Sequence, residues 1–331
     1  MKKGLYKIAI IGAGISGMNC AYQLSKFADV TVFEKSRGYG GRMATKSIGE
    51  FQFDHGAQFF TAKTKIFQEF IDSFQEKGVI QPWKANFVEI NNGQIQKNRE
   101  WNENHKHYVG TPKMTSLCRY LGQNLNVELN TKINKLVKLN HKWEIISDES
   151  CLGTFDWLII TIPPQQAIEI LPASFFNYME QINSYKMQPC FSLMIGVKNS
   201  LQLDWNAAII KNSKLSWISI DNTKPLRNLK YSIVALSTNK WARENIEKEV
   251  EDIKNSLLLE LEKIIEQNIY KPMNIDIHRW RYANIEKQYG VKYIIDYSNR
   301  LGICGDWLIR GTIESAFLSS TYLLHKIINY L

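Results

Sequence analysis

The chain has no apolar run approaching the ~20 residues that a membrane-spanning helix needs. It has five cysteines in 331 residues, Cys20, Cys118, Cys151, Cys190 and Cys304, scattered and without a C-x-x-C pair. That pattern excludes a disulfide framework and a thiolate zinc site, and it suits a reducing cytoplasm. His105 and His107 form an H-x-H pair with no nearby cysteine or third histidine to complete a metal site, so no metal is expected. No internal repeat or low-complexity linker is present. Basic residues outnumber acidic ones, 41 to 32, for a net charge of +9. They are dispersed, however, with no dense basic run and no nucleic-acid-binding motif, which argues against a nucleic acid partner. An excess of dispersed positive charge suits small anionic ligands. No feature of the pattern specifies an oligomeric state.

What is present begins almost at residue 1. Lys2 and Lys3 precede an apolar run, as at the start of a secretory signal, but no small-residue cleavage site follows a long apolar core. The run is strand-like from Lys7 to Ile11, and Gly12, Gly14 and Gly17 follow at G-x-G-x-x-G spacing. Apolar residues at helical intervals continue from Met18 to Phe27. A second strand, "DVTVFEK", ends at Glu34, about 20 residues past the first glycine, where a ribose diol needs an acceptor. Strand, tight turn, helix and acid-tipped strand form a dinucleotide cradle: Gly12 for the turn, Gly14 for close approach of a pyrophosphate, Gly17 for helix–strand packing. The helix N-terminus adds free N–H groups and the positive end of its dipole.

The segment "SRGYGGRMAT" follows, with Gly38, Gly40 and Gly41 giving backbone freedom and Arg42 placed to reach phosphates. In "FQFDHGAQFF", the small Gly56 and Ala57 allow a flat ring to approach the backbone. Helical periodicity is predicted over "KIFQEFIDSFQEKG", over "TPKMTSLCRYLGQNL" with Thr111 as N-cap, over Glu244 to Gln267 and over Thr312 to Tyr330. Strands are predicted at Phe191 to Val197, Ser216 to Ile220 and Tyr231 to Ser237, with a meander over "VELNTKINKLVKLNHKWEII". Near the end, "CGDWLIRGTIESAFLSS" puts Asp306 at a strand end just before a helix, where an acid can bind sugar hydroxyls and a helix dipole can face negative charge.

Together "IAIIGAGISGMNCAYQLSKFADVTVFEKSRGYGGRMAT", "FDHGAQFFTA", "YVGTPKM", "TIPPQQA", "HRWRYA" and the closing motif resemble the renalase-like flavoproteins, especially their bacterial branch, within the monoamine oxidase and protoporphyrinogen oxidase superfamily. The motifs run in order from residue 7 to about 320; "FDHGAQFF" and "HRWRYA" are the most specific. The resemblance implies an α/β fold: a glutathione-reductase-like Rossmann FAD domain (1–75, 109–165 and 297–331) with an inserted α+β substrate domain (76–108 and 166–296). It implies non-covalent FAD, since no cysteine lies in an attachment motif. Gly12, Gly14, Ile15, Ser16 and Gly17 would meet the pyrophosphate, Glu34 and Lys35 the adenosine ribose side, Gly41, Arg42 and Met43 the phosphates, and the Ile133 backbone the adenine. Gly56, Ala57 and Gln58 would border the isoalloxazine, Asp306 would hold the linking region, and Ile313 with its helix would face the flavin N1–C2=O edge.

The activity implied is oxidation of the 2- and 6-dihydro isomers of NAD(P)H, a small-molecule dinucleotide substrate, with molecular oxygen taking the electrons as hydrogen peroxide. Gln58, Phe59, Phe60 and Thr61 would shape the substrate slot, with Trp307 and Trp101 as further candidates; Tyr108, Trp217, Trp280 and Tyr282 are weaker ones. An amine oxidase, a non-catalytic flavin-binding protein and an NAD-dependent dehydrogenase are the competing readings. For the first, no counterpart can be placed for the lysine that the wider family holds near flavin N5.

Overall fold

The computed structural model describes residues 5–102 and 106–331. Lys2 and Lys3, ahead of the first apolar run, and His105 of the H-x-H pair lie outside the described residues. Two large sheets organise the molecule. The first has six strands, built around Lys7–Ile11 between Asp29–Phe33 and Trp157–Ile160; Leu301–Ile303 extends it on one side and Asn126–Glu128 on the other. These pairs are all parallel, and Ile294–Asp296 adds an antiparallel edge. A parallel sheet is covered on both faces, so its central strands read as continuous apolar runs. "KIAII" and "WLII" do so and are buried. One face is covered by the helices Ile15–Leu24 and Ile313–Ile328, which share a core with Ile8, Ile10, Leu24, Leu323 and Ile327. The other face packs Ile11, Phe33, Leu158 and Ile160 against Ala167, Ile170, Phe175 and Ile182.

The second sheet has seven strands in the order Asn274–Asn284, Gln188–Gly196, Ser232–Ser237, Leu215–Ile220, Ala207–Lys211, Asn86–Asn91 and Gln94–Glu100. The helix Val250–Ile265 packs Ile253, Leu257, Leu261 and Ile264 against it. The protein therefore has the Rossmann α/β architecture with a second sheet domain whose strands come from two separate stretches of chain.

Four expectations need correction. The helices Pro164–Ile170 and Phe176–Asn183 share their core with the parallel sheet, so the boundary drawn at 165/166 falls too early. The strand Ile294–Asp296 pairs into that same sheet, so the boundary at 296/297 falls too late. Thr111 is not an N-cap: its hydroxyl donates to the Gly78 carbonyl at 2.7 Å, and the helix begins only at Ser116. The helix expected over 244–267 is two, Asn239–Asn245 and Val250–Ile265. Among the described residues no helix is long and apolar enough to cross a membrane.

Candidate active site

The cradle glycines divide as their spacing implies. Gly12 sits at φ 106°, a left-handed conformation. A Cβ on Gly17 would stand 2.0 Å from the Gly12 carbonyl oxygen, so only glycine lets the helix approach the strand. Gly14 is the opposite case: a Cβ there would meet nothing within 4 Å. It faces a cavity of about 1740 Å³, well above the roughly 300–1,000 Å³ of a single drug-sized ligand. A dinucleotide cofactor and a second ligand both have room.

Glu34 marks one end of this cavity. It is buried, and its two carboxylate oxygens accept the backbone N–H groups of Ala13 and Ser36, each at 2.8 Å. These contacts tie the acid to the glycine turn and leave lone pairs for a ribose diol. Lys35 and Ile133 line the same end, with Ile133 brought beside Glu34 by the Thr131 N–H donating to the Glu34 carbonyl at 2.8 Å. Ile15, Ser16, Gly41, Arg42 and Met43 line the middle; Gly17 does not, since its role is packing.

Arg42 and Asp306 come together. The guanidinium grips the carboxylate bidentately, at 2.7 and 2.5 Å, and donates to the Ala283 carbonyl at 3.1 Å. Part of its five-donor fork remains for phosphate oxygens. Asp306 opens a short 3₁₀ turn, Asp306–Leu308, that sends adjacent side chains in opposite directions. Asp306 points to Arg42 and the cavity. Trp307 points into the core, fully buried, edge-on to Tyr185 at 5.0 Å, with its indole N–H donating to the Ile162 carbonyl at 3.2 Å. Trp307 therefore does not line the cavity and is no substrate contact. The turn leads into the helix Ile313–Ile328, capped by Thr312, whose hydroxyl accepts the Ser315 N–H at 3.2 Å. Its first turn, from Thr312 to Ala316, lines the cavity, so its dipole end faces any negative charge there.

The other end is formed by residues 54–61. A Cβ on Gly56 would stand 2.0 Å from the Arg42 carbonyl, and Ala57 N–H donates to that same carbonyl at 2.8 Å. Phe59, Phe60 and Thr61 line the cavity. Phe59 is backed by Trp101 at 4.8 Å and Trp217 at 5.4 Å. Trp101 itself is buried behind Phe59, stacked on His107, and is a supporting residue rather than part of the wall. Tyr108 and Trp217 are likewise core residues. Gln58 reaches the wall, but its side-chain amide turns away into a buried polar cluster.

Trp280 and Tyr282, weak candidates by sequence, do line the cavity, and so do His55 and His278, which sequence reasoning missed. Trp280 donates its indole N–H to the His55 carbonyl at 2.8 Å and stacks over the His55 ring at 5.3 Å; His278 meets both edge-on. Burial, reinforced by His278, pushes His55 down to about 4, and burial with Lys46 lowers His278. Both rings are neutral at pH 7. The signal was available in the H-x-W spacing of "HRWRYA", whose alternate residues share one face of a strand. Cys190 also reaches the cavity, but burial pushes its thiol up to about 11, so it is no ready nucleophile.

Comparisons with known proteins agree with this geometry. Residues 10–74 match the model of the NAD(P)-binding Rossmann-like domain. Mouse renalase is 24% identical over 304 residues, covering 84% of this chain and 85% of the mouse protein. The fold is shared with a solved protein of Exiguobacterium described as a protoporphyrinogen oxidase (TM-score 0.78, 12% identity, 98% of this chain and 99% of that one). It is shared also with cyclohexylamine oxidase from Brevibacterium oxydans (TM-score 0.71, 11% identity, 98% and 99%). The chain is thus similar to renalase along most of its length and shares its fold, a Rossmann domain joined to a second sheet domain, with solved proteins described as a protoporphyrinogen oxidase and a cyclohexylamine oxidase.

Proposed function

We propose that this chain is a cytoplasmic FAD-dependent oxidase that converts the 2- or 6-dihydro isomers of NAD(P)H to NAD(P)+. FAD would lie from Glu34 and Ile133, past Gly14 and Arg42, to Gly56–Ala57 and the start of the helix at Ile313. When bound, it supplies the chemistry: hydride acceptance at flavin N5 and return of the electrons to oxygen as hydrogen peroxide. The protein's own residues bind, orient and exclude water. Phe59 and Trp280 offer aromatic faces for a flat ring, and neutral His55 and His278 leave the slot without a fixed charge from either histidine.

The observation that carries this reading is the charge lining this cavity. Lys63 and Lys287 line it, with Lys46 paired to Asp276, and these cations suit an anionic dinucleotide better than a cationic amine. Lys224 is buried in ion pairs with Asp54 and Asp221 and does not line the cavity.

The test is anaerobic mixing of the purified protein with dihydronicotinamide isomers, ordinary NADH and simple amines, followed at the flavin absorbance band. Fast reduction by a 2- or 6-dihydro isomer is expected, with reduction by NADH slower by roughly a hundredfold or more, because a slot that fixes the ring holds the 4-position hydride away from N5. Preferential reduction by amines would favour an amine oxidase, and equal rates for all isomers would remove the positional argument.

A further inference from the structure

Below the flavin-side wall lies a cluster of four charged side chains, all essentially without solvent contact: Asp54, Asp221, Lys224 and Arg227. Asp54 belongs to the loop that forms the wall. The other three come from the second sheet domain, just after the strand Leu215–Ile220. Asp54 accepts from Arg227 at 2.6 Å, Lys224 at 3.2 Å and the Thr45 hydroxyl at 2.6 Å. Asp221 accepts from Lys224 at 2.7 Å and from the backbone N–H of Asp54 at 2.6 Å. Burial alone would push the Asp54 carboxyl up, but Lys224 and Arg227 pull it down to about 2.

Two acids and two bases balance, yet apolar residues of similar volume would hold two domains together at no greater cost. What an apolar core could not do is orient an amide. The Gln58 Oε1 lies 2.7 Å from the Ser219 hydroxyl and 3.4 Å from the Lys224 ammonium. An ammonium accepts nothing, so the amide NH₂ group cannot face it. The NH₂ is therefore directed the other way, to the carbonyls of Asp54 (2.5 Å) and Gly56 (3.0 Å). Those two bonds close the turn over residues 54–58, with Ala57 N–H held from the opposite side by the Arg42 carbonyl.

We propose that Lys224 and Asp221 are positioning residues for the flavin: acting through Gln58, they fix the Gly56–Ala57 backbone that borders the ring, so the second domain sets the geometry of the flavin edge. This rests on the FAD reading above. Two variants test it. Gln58→Met removes the amide and no charge; Lys224→Met combined with Asp221→Asn removes one charge of each sign. For the parent and both variants, flavin content, visible circular dichroism of the bound flavin, melting temperature and the flavin reduction rate at saturating substrate are measured. The expected result for the folded variants is an altered visible dichroism band, or lost flavin, with reduction at least tenfold slower than in the parent. Parental dichroism and parental rate in a folded Gln58→Met protein would overturn the inference, whatever happens to melting temperature. Failure of both variants to fold would also overturn it, since the cluster would then hold the fold itself. A parent that carries no flavin would instead overturn the functional reading on which it stands.

Discussion

Two glycines three residues apart make opposite demands on a side chain. At Gly17 the obstacle is the protein: the Gly12 carbonyl stands 2.0 Å from where a Cβ would be, so Gly17→Ala is expected to cost about 3 kcal/mol or more of stability. At Gly14 the φ of −73° suits any residue and the space is open, so Gly14→Val is expected to melt like the parent apoprotein while losing FAD. Paired thermal melts and flavin assays decide it; a Gly14→Val protein with full flavin would show that the pyrophosphate lies elsewhere. His55 gives a pH prediction of definite sign. Its folded value of about 4 lies below the ordinary 6.5, so the unfolded chain binds the extra proton between those values. The stability it contributes is complete above pH 6.5 and is lost as pH falls toward 4, at up to about 1.4 kcal/mol per pH unit and about 3 kcal/mol in all. Denaturant midpoints across that range should fall less steeply for His55→Gln. An unchanged slope would mean that the ring titrates normally.

At the scale of elements, what the sequence made legible was whatever depends on local backbone chemistry. The glycine turn, the acid at the end of the second strand and the capped helix Ile313–Ile328 each carry their cause within a few residues. Harder to read was where side chains go once the elements meet. Asp306 and Trp307 are adjacent in a motif, and only the 3₁₀ geometry separates the residue facing the cavity from the one facing the core. Gln58 lines the cavity as its neighbours do, but two partners of its amide oxygen, Ser219 and Lys224, lie more than 160 positions away. The domain boundary near residue 165 was misplaced for the same reason. An amphipathic helix does not announce which of two sheets it will cover, and Ala167, Ile170 and Ile182 chose the parallel one. Glu314 is another such contact: it accepts the N–H groups of Lys63 and Thr64, tying the start of the last helix to the loop that follows Phe59–Thr61.

For the whole molecule, the net charge of +9 gains meaning from its distribution. Basic residues outnumber acidic ones around the cavity, where Glu34, Glu169, Asp306 and Glu314 are the acids in the lining. A field of that sign gathers anions over a distance set by salt: the screening length shortens from about 30 Å at 0.01 M to about 8 Å at 0.15 M. The KM for a dihydro-dinucleotide is therefore expected to rise several-fold over that range while the rate of flavin reduction at saturation stays level. Stopped-flow titrations at the two salt concentrations measure both, and a salt-insensitive KM would assign the charge to general surface solvation.

The hydrogen bond from the Ser16 hydroxyl to the Ala316 carbonyl, 2.9 Å long, joins residues 300 positions apart in the chain. At a synthesis rate of about 5–20 residues per second, the ribosome delivers the second partner roughly 15 to 60 s after the first. Throughout that interval the glycine cradle exists without the helix that completes it, and Cys20 and Asn19 of the first helix lack the Cys304 and Ser320 against which they later pack. A cradle closed by that helix is complete only after both partners have been made and have docked.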